Sequence, residues 1–306
     1  MFAMEHKTKL MEILDSAPLI FESNIISLKK LFFNVSDDFW FWLFTDGYDS
    51  DPRLKKILPL MPDERIQKNF TGRSGKDALF EAFSAYKLFK QITDRHAKKI
   101  SDQEAVLDFG CGWGRIIRFF LKDLEPSQLY GADCYGEMIN LCRQQNLKCN
   151  FDIINPMPPS QFNDNQFDVI YLYSVFSHLS EQSHMDWLDE FYRILKPGGI
   201  FIATTRPVEF IDFCKTLAQN KKVNEWERGS AIAFSDYRQA YLDYDEGKFV
   251  HCPTGGGGVL DKSFFGESCI SELYVRNNWN KLFSELEYIP SKKHKQFDQN
   301  VIVGIK

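Results

Sequence analysis

No stretch of this sequence approaches the ~18 continuous apolar residues of a membrane-spanning helix. The opening residues, Met1-Phe2-Ala3-Met4-Glu5-His6-Lys7, do not begin a secretory signal pattern. There is no excess of positive charge. Lys and Arg total 37 against 42 Asp and Glu, a net charge of −5, so no bulk basic field draws the chain to nucleic acid or to an anionic membrane. There is no C-x-x-C pair. The seven cysteines (Cys111, Cys134, Cys142, Cys149, Cys214, Cys252 and Cys269) are scattered and odd in number. They read as reduced thiols of a cytoplasmic protein, with neither a disulfide framework nor a metal site. Internal repeats and low-complexity tracts are also absent. Aromatic residues, by contrast, are abundant at 15%, with 28 Phe, which suits a deep apolar core or an apolar pocket. A length of 306 residues fits one large α/β domain with additions, or two small domains.

The most informative stretch is Ala105-Val106-Leu107-Asp108-Phe109-Gly110-Cys111-Gly112-Trp113-Gly114-Arg115-Ile116-Ile117. It reads as a short buried strand, an acidic residue near its end, a glycine turn and a helix whose apolar face runs from Ile116 to Leu121. Gly110, Gly112 and Gly114 remove side chains where the backbone turns tightly and approaches a ligand. This is the nucleotide-binding corner of a doubly wound sheet. The dinucleotide fingerprint G-x-G-x-x-G needs glycine or alanine at 115, where this chain has Arg115. Asp108 also sits poorly beside a pyrophosphate. It suits a ligand bearing positive charge, such as the ammonium and sulfonium of S-adenosylmethionine.

Asp108-x-Gly110-x-Gly112-x-Gly114 resembles motif I of the class I S-adenosylmethionine-dependent methyltransferases. Further matches follow downstream. A second strand over 128–132 ends at Asp133, 25 positions after Asp108. A carboxylate there accepts hydrogen bonds from two ribose hydroxyls, as motif II does. A third strand, 149–154, ends at Asn155-Pro156. A fourth, 167–173, leads into Ser174-Val175-Phe176-Ser177-His178-Leu179, then a helix over 181–195, Lys196-Pro197-Gly198-Gly199 and a fifth strand, 200–205. The resemblance covers about residues 70–206. The Asn155-Pro156…Pro159 run is not the N-P-P-Y motif of amino-group methyltransferases, which follows the fourth strand with its prolines together.

This resemblance implies a ligand set. Asp108, Gly110 and Gly112, with Cys111 between them, would line the methionine part of the cofactor. Asp133 would take the ribose, and Cys134 and Asn155 the adenine, with Asp152 an alternative to Asn155. The backbone of Tyr173 and Ser174 would meet the methyl-donor end. Class I methyltransferases commonly carry a helix before the first strand, here 76–98, and Arg73 at its start either meets the cofactor carboxylate or is solvated. His178 falls just beyond the fourth strand. It is either a general base toward an acceptor hydroxyl or amine, or a packing residue at the next helix.

Outside the core, helices are expected over 7–14 and 24–33. The block Asp37-Asp38-Phe39-Trp40-Phe41-Trp42-Leu43-Phe44 is either a core helix or part of a lid over an apolar acceptor. Turns are expected at 47–52 and 69–75. Helices over 207–217 and 271–278 and closing strands over 283–288 and 300–305 complete the chain. Tyr241, Tyr244, His251 and Phe265 are candidates for the acceptor side.

The expected fold is α/β: a Rossmann-like, doubly wound, seven-stranded, mostly parallel sheet with a C-terminal antiparallel hairpin. Residues 1–98 form an N-terminal helical region or lid. Residues 99–306 form the methyltransferase domain, with 207–270 inserted after strand five as a substrate-side cap. The expected function is methyl transfer from S-adenosylmethionine to a small-molecule acceptor, favouring oxygen because of His178, with no metal, nucleic acid or membrane partner. A nicotinamide-dependent oxidoreductase and a non-catalytic cofactor-binding protein are the alternatives.

Overall fold

The computed structural model describes residues 2–16, 27–220, 222–224 and 227–306. The central strand is β1 (Val106–Phe109), buried at all four positions. It is flanked in parallel by β2 (Leu129–Asp133) and β4 (Phe167–Leu172). Parallel β3 (Asn150–Ile153) lies outside β2, and β5 (Leu195–Thr205) outside β4. Two short strands, β6 (Val250–Cys252) and β7 (Glu267–Cys269), pair separately. The chain closes with β8 (Glu285–Ile289) and β9 (Asn300–Ile305), antiparallel to each other, with β9 also antiparallel to β5. The sheet order is β3-β2-β1-β4-β5-β9-β8. This is the expected seven-stranded doubly wound sheet with its C-terminal hairpin.

Successive residues alternate between two cores, as pleating requires. Val106, Tyr171 and Ile202 enter one, and Leu107, Ile170 and Phe201 enter the other. The first is covered by the N-terminal helices. Asp37–Phe44 is a helix capped by Ser36, with Phe39, Trp40 and Leu43 fully buried and the Trp40 indole N–H donating to the Phe119 carbonyl at 2.9 Å. The aromatic block is therefore core; none of it borders the cavity described below. The second core is covered by the helices Glu181–Ile194 and Glu272–Trp279.

Some local expectations change. The first helix is longer than expected, Phe2–Asp15. Of the expected helix over 24–33, residues 24–26 lie outside the described residues and Leu28–Phe32 is helical. Residues 69–71 belong to a helix, Glu64–Thr71, because Asp63 caps its start and Gly72, at φ 71°, supplies the left-handed residue that ends it. The Lys196–Gly199 segment is not a plain turn between helix and strand. Strand β5 begins at Leu195 opposite Phe167, and the register shifts before Ile200 opposite Val169, with Gly198 at φ 71°. The helix after the glycine turn shrinks to Ile117–Phe120. The basic run after β8 includes a single helical turn, Ser291–His294.

The functional consequence is geometric. The carboxyl ends of β1, β2, β4 and β5 open on one edge, where a doubly wound sheet binds ligands. The helix end Asn69–Thr71, Val223 and residues 228–267 close over that edge around a cavity of about 1050 Å³.

Candidate active site

The turn after β1 is tied to the neighbouring strand. The amides of Gly110 and Cys111 both donate to the Ala132 carbonyl, at 2.7 and 3.1 Å. Gly110 has φ 71°, and a Cβ there would stand 2.4 Å from Val175 Cγ2, so glycine is required on two counts. The Gly112 amide donates to Asp133 Oδ2 and the Tyr135 amide to Asp133 Oδ1, each at 2.8 Å. Burial raises the Asp133 carboxyl above the usual carboxylate range, while these amide donors pull it back. Asp108 lies beneath the turn, 2% exposed, and burial pushes its pKa up to about 7. By the geometry, neither the hydroxyl of its neighbour Tyr171 nor Asp108 Oδ2 completes a hydrogen bond.

Past β4 the backbone is strained. Ser174 has φ 61°, costly for a residue with a side chain. It is over-determined by its neighbours. Its amide donates to Thr204 Oγ1 at 2.7 Å, and its hydroxyl meets Ser177 Oγ and the Gln299 amide nitrogen, each at 3.0 Å.

His178 borders the far end of the same cavity. Its ring stacks on Phe265 at 4.9 Å and 6°. Its Nδ1 lies 2.9 Å from the Gly266 carbonyl, which can only accept, so Nδ1 carries the proton and the neutral ring keeps a lone pair on Nε2. Burial holds its pKa below the ordinary histidine value, although Glu267 pulls the other way. Glu267 Oε2 lies 3.6 Å from His178 Nδ1 and 3.8 Å from Arg206 Nη2, and Ser230 Oγ donates to Glu267 Oε1 at 3.1 Å.

Of the residues singled out in the sequence, Asp108, Gly110, Cys111, Gly112, Asp133, Cys134, Asn155, Tyr173, Ser174 and His178 all border this one cavity. Arg73 does not. Its side chain is 54% exposed, and Glu81 Oε2 holds it outside, 3.8 Å from Nε. Arg115 reaches the cavity instead, donating to Glu81 Oε1 at 3.0 Å, with the Tyr173 hydroxyl donating to the same oxygen at 3.0 Å. Asp152 lies outside the lining. On the acceptor side Phe265 borders the cavity, whereas Tyr241 and Tyr244 pack into a separate cluster around Phe210 and His251 bonds Ser268. Sequence reasoning missed Arg115, Arg206 and Glu267. Arg115 carried a signal as the non-glycine in the glycine turn. Glu267, more than 60 residues beyond β5, carried none. No group of His, Cys, Asp and Glu among the described residues has metal-site geometry.

Residues 106–199 match the protein family described as "Methyltransferase domain". The chain is 28% identical over 129 residues to the fatty-acid O-methyltransferase of Mycolicibacterium smegmatis, covering 42% of each protein. It is 26% identical over 161 residues to the tRNA N(3)-methylcytidine methyltransferase trm140 of Schizosaccharomyces pombe, covering 49% of this chain and 52% of that one. It thus spans about half or less of the length of these curated relatives. Among solved structures it resembles an S-adenosylmethionine-dependent methyltransferase of Mesorhizobium loti, with a TM-score of 0.44 and 11% identity over 71% of this chain and 96% of that one.

Proposed function

We propose that this chain, whose residues 106–199 match a methyltransferase domain, is a class I S-adenosylmethionine-dependent methyltransferase that methylates an oxygen of a small-molecule acceptor. S-adenosylmethionine, when bound, supplies an electrophilic methyl group on a sulfonium. The residues present fit it. Asp108 offers a buried carboxylate oxygen with no partner, suited to a cationic ligand. A Cβ on Gly112 would meet nothing closer than Phe70 Cδ1 at 3.7 Å, so a ligand can approach its backbone. Asp133 keeps lone pairs free for ribose hydroxyls beyond the two backbone donors it already accepts. Cys134 and Asn155 would flank the adenine and the Tyr173–Ser174 backbone the donor end, with Cys111 beside the methionine part. Arg115, paired with Glu81, takes the position toward the cofactor carboxylate first assigned to Arg73.

The observation that carries oxygen transfer is the tautomer of His178. The Gly266 carbonyl holds the proton on Nδ1 of this cavity-lining ring, leaving the Nε2 lone pair free to accept a hydroxyl proton as the methyl arrives. Its lowered pKa keeps the ring neutral near pH 7. In-line positioning of donor and acceptor supplies the rest. The relatives act on different acceptors, a fatty acid in one and tRNA in another. A small acceptor is favoured here by the net charge of −5 and by an aromatic cavity wall. In this reading the segment 207–270 provides the acceptor wall, residues 1–98 reach the glycine turn through Asn69–Thr71, and the protein works in the cytoplasm. No described helix is long and apolar enough to cross a membrane.

Calorimetric titration with S-adenosylmethionine, S-adenosylhomocysteine and NAD tests the cofactor. Micromolar binding of the first two and none of NAD is expected, and NAD binding alone would overturn the reading. Asp133→Ala is expected to weaken S-adenosylhomocysteine binding at least about tenfold, about 1.4 kcal/mol. Unchanged affinity would remove Asp133 from the ribose.

A further inference from the structure

Arg206 follows β5 directly and borders the cavity with 14% of its side chain exposed. Two other arginines that are as deeply buried are well bonded. Arg118 donates to the Gly114 and Leu60 carbonyls and to Gln145 Oε1, and Arg115 to Glu81 and the Ala78 carbonyl. The Arg206 guanidinium makes no hydrogen bond among the described residues, and its buried Nε has no partner at all. It rests on the Phe210 ring, 4.0 Å away. Its nearest anion, Glu267 Oε2, is 3.8 Å off, beyond hydrogen-bond reach, and that oxygen is itself buried and unbonded. A mostly desolvated guanidinium with five idle donors is costly unless something accepts from them.

The charge at this end favours an anion of single charge. Arg206 and the exposed Arg228, which has no ion pair among the described residues, face one carboxylate, Glu267, and a neutral His178. A planar fork matches a carboxylate with two parallel hydrogen bonds. Leu260, Phe264 and Phe265 supply apolar walls. His178 and Arg206 approach the same Glu267 oxygen, at 3.6 and 3.8 Å. A nucleophile at His178 and an anion at Arg206 therefore lie within one small molecule, a few bonds apart.

We infer that Arg206 binds a carboxylate of the acceptor, which is an apolar hydroxy acid carrying its carboxylate close to the hydroxyl that is methylated. This rests on the transferase reading above. The carboxylate is the anchor and the hydroxyl is the nucleophile, its proton passing to His178 Nε2.

The test is calorimetric titration of the full chain with benzoate and with its neutral isostere benzamide, after a separate titration with S-adenosylhomocysteine. Benzoate is expected to bind at least about tenfold tighter than benzamide. Arg206→Gln is expected to lose at least about tenfold in benzoate affinity while holding S-adenosylhomocysteine within about twofold, which also reports that it folds. Arg206→Lys, which keeps the charge without the fork, is expected to fall between. Benzoate binding no tighter than benzamide, or unchanged in Arg206→Gln, overturns the inference. Absence of S-adenosylhomocysteine binding overturns the transferase reading instead, and the benzoate titration still reads Arg206 directly.

Discussion

Replacing His178 with alanine is expected to lower kcat by about 10²–10⁴-fold, the range that a positioned general base contributes. S-adenosylhomocysteine affinity is expected to stay within about twofold. The expectation rests on the bond from Nδ1 to the Gly266 carbonyl, which leaves Nε2 unprotonated on a ring that lines the cavity, and on the parallel stacking against Phe265 that fixes the ring plane. A ring that served only packing would lower stability without a selective loss of kcat, so thermal unfolding of the variant is measured beside its turnover. The pH profile adds a second readout. Burial holds the His178 pKa below the ordinary ~6.5. The base is therefore lost only as the pH falls through that lowered value, and kcat/KM is expected to be flat above about pH 7 and to decline below pH 6.5. The alanine variant should lose that acid limb. Undiminished turnover, or an acid limb that persists, would remove His178 from the chemistry.

The second large effect concerns stability in acid and a different histidine. His184, in the Glu181–Ile194 helix, is fully buried, with its ring 4.0 Å from that of Phe176, and its Nε2 accepts the Trp279 indole N–H at 3.1 Å. Burial holds its folded-state pKa down to about 3, against ~6.5 in an unfolded chain. Between those values the unfolded chain binds a proton that the folded chain refuses. The contribution of the neutral ring is whole above pH ~6.5 and is lost as the pH falls toward 3, by up to about 1.4 kcal/mol per unit. His184→Gln keeps an acceptor for Trp279 but cannot be protonated. In urea unfolding between pH 7 and pH 5, stability of the parent is expected to fall faster than that of the variant, by about 2 kcal/mol over the interval. Parallel pH dependences would mean that His184 is not held neutral by the fold.

The two histidines separate what the chain's local order determines from what its folding decides. Strand periods, the Asp108-to-Gly114 turn and the Asp133 spacing are local properties. Backbone sterics and hydrophobic alternation act over a few residues, so five parallel strands, their order of use and ten residues of one cavity lining were legible in the order of amino acids. The role of the aromatic block at 37–44 was not, because the same apolar face suits a core or a lid until it is known what it meets. It meets Phe83 and Phe119, and so it is core. The boundaries at Gly72 and Lys196–Gly199 were misjudged for a related reason. A glycine or a Pro-Gly-Gly run signals a bend, but hydrogen bonds with distant partners decide whether that bend is a helix cap or a strand irregularity.

Arg73 and Arg115 divide in the same way. Arg73 precedes Gly110 by 37 residues and Arg115 follows the glycine turn directly, yet both meet Glu81, on the Gly75–Arg95 helix, which holds one outside and draws the other to the cavity. The end of the cavity that His178 borders was least legible. His178, Arg206 and Glu267 come from after β4, after β5 and from β7, and only the closure of residues 228–267 over the sheet edge brings them around one carboxylate oxygen. The amino-acid order by itself thus determined the corner suited to the nucleotide, because its geometry is built from neighbours. The tertiary structure alone decided which cations and bases line the His178 end of the cavity, because their partners depend on burial and on contacts between segments nearly ninety residues apart.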